Sequence, residues 1–121
     1  MTSRILEARW PAVAWTVLIF ILLIIPSSGI PKQGMLALKH LDKLAHLLLF
    51  GVFVLLWYPP LRSKGWQVRS ARIVLFLLSS GYGIAMEFVQ LGFTERAFEG
   101  WDIVADALGA ALAAAALGWG K

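Results

Sequence analysis

Eight residues of this chain have the types and spacing to do chemistry: Asp42, Lys43 and His46, then Glu87 and Gln90, then Arg96, and finally Asp102 and Asp106. Asp42 and His46 are four apart, as are Asp102 and Asp106. Lys43 and His46 are three apart, as are Glu87 and Gln90. Residues at these separations share one side of a helix. Three chemistries fit the set. The carboxylates with His46 could hold a divalent metal through oxygen and imidazole, although no spacing of the H-E-x-x-H kind is present. His46 beside a carboxylate could act as a general acid–base near neutral pH, Glu87 and Asp102 being the other catalytic candidates. Lys43 and Arg96 could hold a phosphate or carboxylate head group, Arg96 in bidentate fashion. The alternative is structural: ion pairs that only hold helices in register.

The elements that must position these residues are long apolar runs. The 121 residues, enough for one domain, are 60% hydrophobic and 15% charged, against about 45–50% and about 25% in a water-soluble globule. The runs cover about residues 10–26, 41–58, 73–91 and 101–119. Each is near the lower limit of the roughly 17–25 residues that cross a bilayer as a helix. No sustained alternation of apolar and polar residues suggests strands. The expectation is an all-α polytopic membrane protein, a four-transmembrane-helix bundle. Arg4 and Arg9 before a short apolar stretch and Ser27-Ser28-Gly29 have the outline of a signal peptide; the adopted reading keeps this run as the first helix, ended by Pro26. The chain has no cysteine, which excludes disulfides and thiolate-bound metals.

The basic residues lie between the runs, and none form a block suited to nucleic acid, so no nucleic-acid partner is expected. Arg4, Arg9, Arg62, Lys64, Arg69, Arg72 and Lys121 fall on one side. Lys32, Lys39, Lys43 and Arg96 fall on the other. The positive-inside rule then puts both termini in the cytoplasm. Trp10, Trp57, Tyr58, Trp66 and Trp119 at the inner interface and Trp101 at the outer one suit aromatic belts. The basic stretch 62–72 is most simply an orientation signal, with some attraction to anionic inner-leaflet lipids. The segment 31–40 is read as an outer loop with an amphipathic portion, His40 solvated within it. Glu95 and Glu99 beside Arg96 read as a solvated loop face.

In an antiparallel bundle the start of the second helix, the end of the third and the start of the fourth come to one face. All eight polar residues therefore meet at the outer face. Glu87 is the most telling, because it lies about four residues, or roughly 6 Å of rise, inside its run. An intramembrane acid at that depth needs a partner, and Lys43, Arg96 or His46 could supply one. Ser79, Ser80, Gly81 and Gly83 thin the third helix, and Ala105, Gly109 and Ala113 recur every four residues in the fourth. This small-xxx-small pattern predicts a tight hairpin of the third and fourth helices. A channel or transporter is disfavoured for a monomer, since the polar groups gather at one end; an oligomeric pore is not legible in one chain.

The same residues carry a family resemblance. Asp42-Lys43-Leu44-Ala45-His46 followed by Phe50-Gly51, then Tyr82-Gly83 through Glu87 to Gln90, then Arg96, Phe98 and Asp102 before an alanine- and glycine-rich helix, resemble the VanZ-like family. The match covers most of residues 40–118. One departure stands out: the family usually has asparagine four residues after the aspartate of the last helix, where this chain has Asp106. An ionised aspartate cannot donate a hydrogen bond as asparagine can. The resemblance implies a small cell-envelope membrane protein, in a family named for an accessory protein that lowers susceptibility to teicoplanin.

The combined expectation is an outward-facing polar pocket that engages a lipid-linked or cell-wall ligand, with membrane lipids as the other partners. Lys43 and Arg96 hold the anionic head group, while Asp42, His46, Glu87, Gln90 and Asp102 shape and charge-balance the site, and Asp106 is a further ligand-binding candidate. The alternatives are an intramembrane enzyme acting on a lipid-linked phosphate or cell-wall precursor, and a structural protein whose charges only join helices.

Overall fold

The computed structural model describes residues 8–24, 32–93 and 100–118, with the backbone alone for residues 32–42 and 93. Four α-helices follow one another: α1 (Trp10–Ile24), α2 (Lys32–Ser63), α3 (Val68–Phe93) and α4 (Gly100–Gly118). There is no strand among the described residues. The stretches Lys43–Ser63, Val68–Gly92 and Gly100–Gly118 are long and apolar enough to cross a membrane. The described part of α1 is a shorter apolar helix of 15 residues, about 22 Å of rise.

The termini of α2 differ from the sequence expectation. Hydropathy places a loop over residues 31–40, but the backbone is helical from Lys32. Hydropathy reports how deep a segment sits in a bilayer, not whether it is helical, and Gln33, Leu36, Ala37, Leu38 and Lys39 are all good helix formers. At its other end α2 passes through Pro59 and Pro60 to Ser63 instead of ending at residue 58. Both prolines lie in the last turns, and such interruptions are tolerated in membrane helices where the freed groups find other partners. The stop comes at Gly65, whose φ of 95° is open to glycine at little cost. Trp66 N–H donates to Leu61 O at 3.1 Å and Gly65 N–H to Arg62 O at 3.0 Å, which is a Schellman cap. Likewise α3 begins at Val68, a turn and more before the apolar run at residue 73, and Ala71 N–H donates to Gln67 O.

Contacts between helices fix an antiparallel up-and-down order. Gln90 of α3 reaches Leu23 near the end of α1, Lys43 of α2 reaches Asp102 at the start of α4, and Arg72 of α3 reaches Ala114 near the end of α4. Large apolar side chains such as Val17, Leu48, Leu77, Phe88 and Leu108 point outward and are exposed, while His46, Ser79, Glu87, Gln90 and Asp106 are buried. An apolar exterior around a polar interior is the distribution that a hydrocarbon solvent favours. The core between the polar groups and the opposite end is aromatic: Phe50 meets Tyr82 edge-on at 5.7 Å, and Phe53 lies 5.8 Å from Tyr82 and 6.3 Å from Trp57.

The small residues of α4 do bring helices close, but the closest approach is to α2 and not to α3. A Cβ at Gly109 would fall 2.9 Å from the carbonyl carbon of Leu47, and one at Gly51 would fall 3.2 Å from the carbonyl oxygen of Gly109. A stripe of small residues says that a backbone can come near; which helix comes near depends on a complementary small residue, here Gly51.

Candidate functional site

Lys43 and His46 occupy successive turns of one α2 face, and Asp102 and Asp106 occupy successive turns of the α4 face opposite. The two pairs interlock. Lys43 Nζ lies 2.6 Å from Asp102 Oδ1. His46 Nδ1 lies 2.7 Å from Asp106 Oδ1. His46 Nε2 faces the other Asp102 oxygen at 3.7 Å, beyond a hydrogen bond. An ionised carboxylate can only accept, so the proton of the His46–Asp106 bond sits on Nδ1. Phe50, one turn further along α2, stacks on the imidazole with ring centres 6.2 Å apart and planes inclined by 16°. The lower part of the cluster is closed: His46 and Asp106 are fully buried, and Asp102 is nearly so. The upper part is not, because the Lys43 side chain keeps 28% of its surface exposed against 7% for Asp102.

Helix α3 makes room for this arrangement. A Cβ at Gly83 would come within 2.8 Å of the Asp106 Cβ and closer still to its carboxylate. The second carboxylate of α4 therefore occupies the place of a missing side chain on α3. Glu87, four residues on along the same α3 face, is completely buried. Gln90 is also buried, and its side-chain amide donates to Leu23 O at 2.7 Å, tying α3 to the last described turn of α1.

Of the eight expected site residues, the structure joins Lys43, His46, Asp102 and Asp106 in one network, and buries Glu87 and Gln90 on the helix beside it. Arg96 and the side chain of Asp42 lie outside the described residues. Among the described residues no three His, Asp or Glu side chains are grouped as ligands of a metal ion. The arrangement links the part-exposed Lys43, through Asp102, to the buried His46–Asp106 pair.

These positions coincide with a family assignment: the VanZ/LLP1 family model matches residues 5–119. The chain belongs to the VanZ/LLP1 family. No curated protein and no solved structure matches it. In this VanZ/LLP1 protein the Asp106 oxygen accepts from His46. An asparagine oxygen could accept the same bond.

Sequence reasoning missed a second polar centre, about Thr16. Tyr82 O–H donates to Thr16 O at 2.7 Å, Trp57 Nε1–H donates to Thr16 Oγ1 at 3.0 Å, and Thr16 Oγ1–H donates to Ala12 O. Trp15 Nε1–H donates to Leu49 O at 2.8 Å nearby. A threonine and two tryptophans in otherwise aliphatic runs were the available signal. Below this centre an apolar cleft of about 390 Å³ opens between α1, α2 and α3, lined by Phe53, Trp57, Trp66, Leu75 and Tyr82 among others. It lies toward the opposite end of the bundle from the charged network.

Proposed function

We propose that this VanZ/LLP1 protein is a multi-pass protein of the bacterial cytoplasmic membrane, with both termini inside, that holds the anionic head group of a lipid or cell-wall component at its outer polar end. The observation that carries this is the order of charges at Lys43. The ammonium is the more exposed partner and Asp102 the buried one, so an anion arriving from the polar end meets the cation first. A carboxylate beneath the ammonium aims it and offsets the cost of holding it at the edge of a bilayer. The apolar exterior of α2 and α4 suits the tail of an amphiphilic ligand.

The test is direct binding of a polyisoprenyl monophosphate to the purified chain in phosphatidylcholine nanodiscs. Wild type binds it in preference to the corresponding alcohol. The paired replacement Lys43→Gln with Asp102→Asn removes both charges without leaving either one buried alone, and it lowers that affinity at least about tenfold, as the loss of one charge-assisted contact should. Equal affinity in a folded double variant excludes Lys43 as the anion's partner. The physiological counterpart is lowered teicoplanin susceptibility in a sensitive Gram-positive host, present with wild type and absent with the double variant at matched membrane abundance.

One observation favours a second reading, an intramembrane enzyme acting on a lipid-linked phosphate. His46 is held at Nδ1 by Asp106, and its other nitrogen points toward a second carboxylate. An imidazole so oriented is suited to proton transfer. It is fully buried, however, so a substrate would first have to displace the Lys43–Asp102 pair. Binding without turnover requires no such displacement and stands first. Turnover of a lipid-linked phosphate by wild type, lost in a folded His46→Gln variant, would reverse that order.

A further inference from the structure

At the end of the bundle opposite the charged network, a cleft of about 310 Å³ separates the start of α3 from the end of α4, lined by Arg69, Arg72, Ile73, Phe76 and Ala114. Arg72 and Phe76 are one turn apart, and so are Arg69 and Ile73. The face of α3 thus carries two guanidinium groups at its first turns and two apolar side chains a turn deeper. Arg72 is held in place: its Nε–H donates to Ala114 O at 2.6 Å. Its guanidinium also lies where Gly118 lacks a side chain, since a Cβ there would overlap it. Arg69 is exposed, and Ile73 is half exposed. Ala114 gives the cleft a low wall on the α4 side.

The charge at this end is unbalanced. Every acidic residue in the described part of the chain with a described side chain, namely Glu87, Asp102 and Asp106, belongs to the other end. Arg9, Arg62, Lys64, Arg69 and Arg72 gather at this one. The cleft therefore offers two forked donors to an anion at the level of the membrane interface. Along α3 the cleft runs about 10 Å from Arg69 to Phe76, and its deeper half, from Ile73, is apolar. An arginine pair suits a phosphate bidentately, and Ile73, Phe76 and Ala114 suit an acyl chain.

We propose that this cleft seats one anionic phospholipid of the leaflet it faces, with its phosphate between Arg69 and Arg72 and one acyl chain along Ile73, Phe76 and Ala114. The site is separate from the outer head-group site and uses none of its residues. Arg72 also favours the carbonyl end of α4, as a cation at a helix C-terminus does, so the lipid joins α3 to α4 through a side chain already bridging them.

The experiment is native mass spectrometry of the purified full chain, offered equal amounts of dioleoyl phosphatidylglycerol and dioleoyl phosphatidylcholine in a neutral detergent. Wild type retains one phosphatidylglycerol in clear preference. Arg69→Gln, a change at an exposed side chain, lowers that preference about fivefold, the effect of one basic residue near a lipid surface. Ala114→Leu fills the chain groove while leaving both arginines, and it removes the preference at an unchanged thermal midpoint. Lys64→Gln, at the same end but outside the cleft, changes it less than twofold. Glycerol 1-phosphate, a head group without chains, does not compete. An equal loss in Lys64→Gln and Arg69→Gln would overturn the proposal in favour of diffuse attraction. Full competition by glycerol 1-phosphate would overturn it in favour of a soluble phosphate site. Retained preference in both Arg69→Gln and Ala114→Leu would exclude the cleft altogether.

Discussion

Helix α4 lies so close to α2 that the Leu47 backbone stands where a Gly109 side chain would begin, and it inserts Asp102 and Asp106 against Lys43 and His46. Helix α1 meets the same bundle through the buried apolar side chains Ala12, Ile19 and Leu23 and through single hydrogen bonds: Trp15 to Leu49, Tyr82 and Trp57 to Thr16, and Gln90 to Leu23. The first attachment is steric and ionic, so each part needs the others in place. The second is apolar packing with a set of separate hydrogen bonds, each bond worth about 0.6 kcal/mol on average in a membrane helix bundle. Removing one partner of a buried ion pair costs more, about 3–5 kcal/mol, because the remaining charge stays buried. The bundle is therefore a tightly keyed α2–α3–α4 unit with α1 fastened to its side, and the candidate anion site belongs to the keyed part.

The largest effect is expected at the α2–α4 contact. Gly109→Leu puts a branched side chain into the Leu47 backbone, which cannot rotate away as a side chain could. It should destabilise the protein by about 3 kcal/mol or more, at the upper end of what overpacking does. Reversible unfolding in mixed micelles measures this. A loss below about 1 kcal/mol would mean that α4 can slide off α2 freely, and the contrast with α1 would fail.

The next effect separates steric keying from simple helix flexibility. Gly83→Ala drives a methyl group into Asp106 and should cost about 1–3 kcal/mol. Asp106→Ala alone is also costly, since His46 loses its carboxylate. The double variant should cost less than the sum of the two by at least about 1 kcal/mol, because the methyl then enters the space that Asp106 vacated. Gly81, two residues away, has nothing within 4 Å of a would-be Cβ. Gly81→Ala should therefore be neutral, or stabilising by up to about 1 kcal/mol through helix propensity. Equal losses at Gly81 and Gly83 would show that α3 needs glycine for its backbone and not for Asp106.

How much of this was legible in the sequence depends on which physical quantity each residue reports. Long apolar runs report helices in lipid, and the four helices were visible for that reason. The i,i+3 and i,i+4 spacings of Lys43, His46, Asp102 and Asp106 report shared faces, and those residues do converge. What the runs do not report is the rotation of one helix against another. Ala105, Gly109 and Ala113 announced a close approach but not its partner, which is set by Gly51 on α2. The fit of Asp106 against Gly83 depends on the relative height of two helices, which hydropathy does not encode. Gln90 was placed in the polar site by its spacing from Glu87, yet its amide serves α1. A long polar side chain near a helix end can reach either way, and the choice is made by whichever carbonyl comes within range.

Gln90→Leu gives the smallest effect and tests the α1 side of the comparison. The substitution keeps the volume and apolar contact of the side chain and removes the donor to Leu23 O. Stability should fall by about 0.6–1.7 kcal/mol, the range for one interhelical hydrogen bond in a membrane bundle. The change should also be local. Hydrogen exchange of the α1 amides near Leu23 should quicken, while the amides around Leu47 and Gly109 keep their protection, because the bond removed joins Gln90 to Leu23 of α1. A loss that spreads equally over α2 and α4 would mean that α1 and the charged network unfold as one cooperative unit. Gln90 would then be a member of that network, coupled to Glu87 one turn away, and not a fastening for α1.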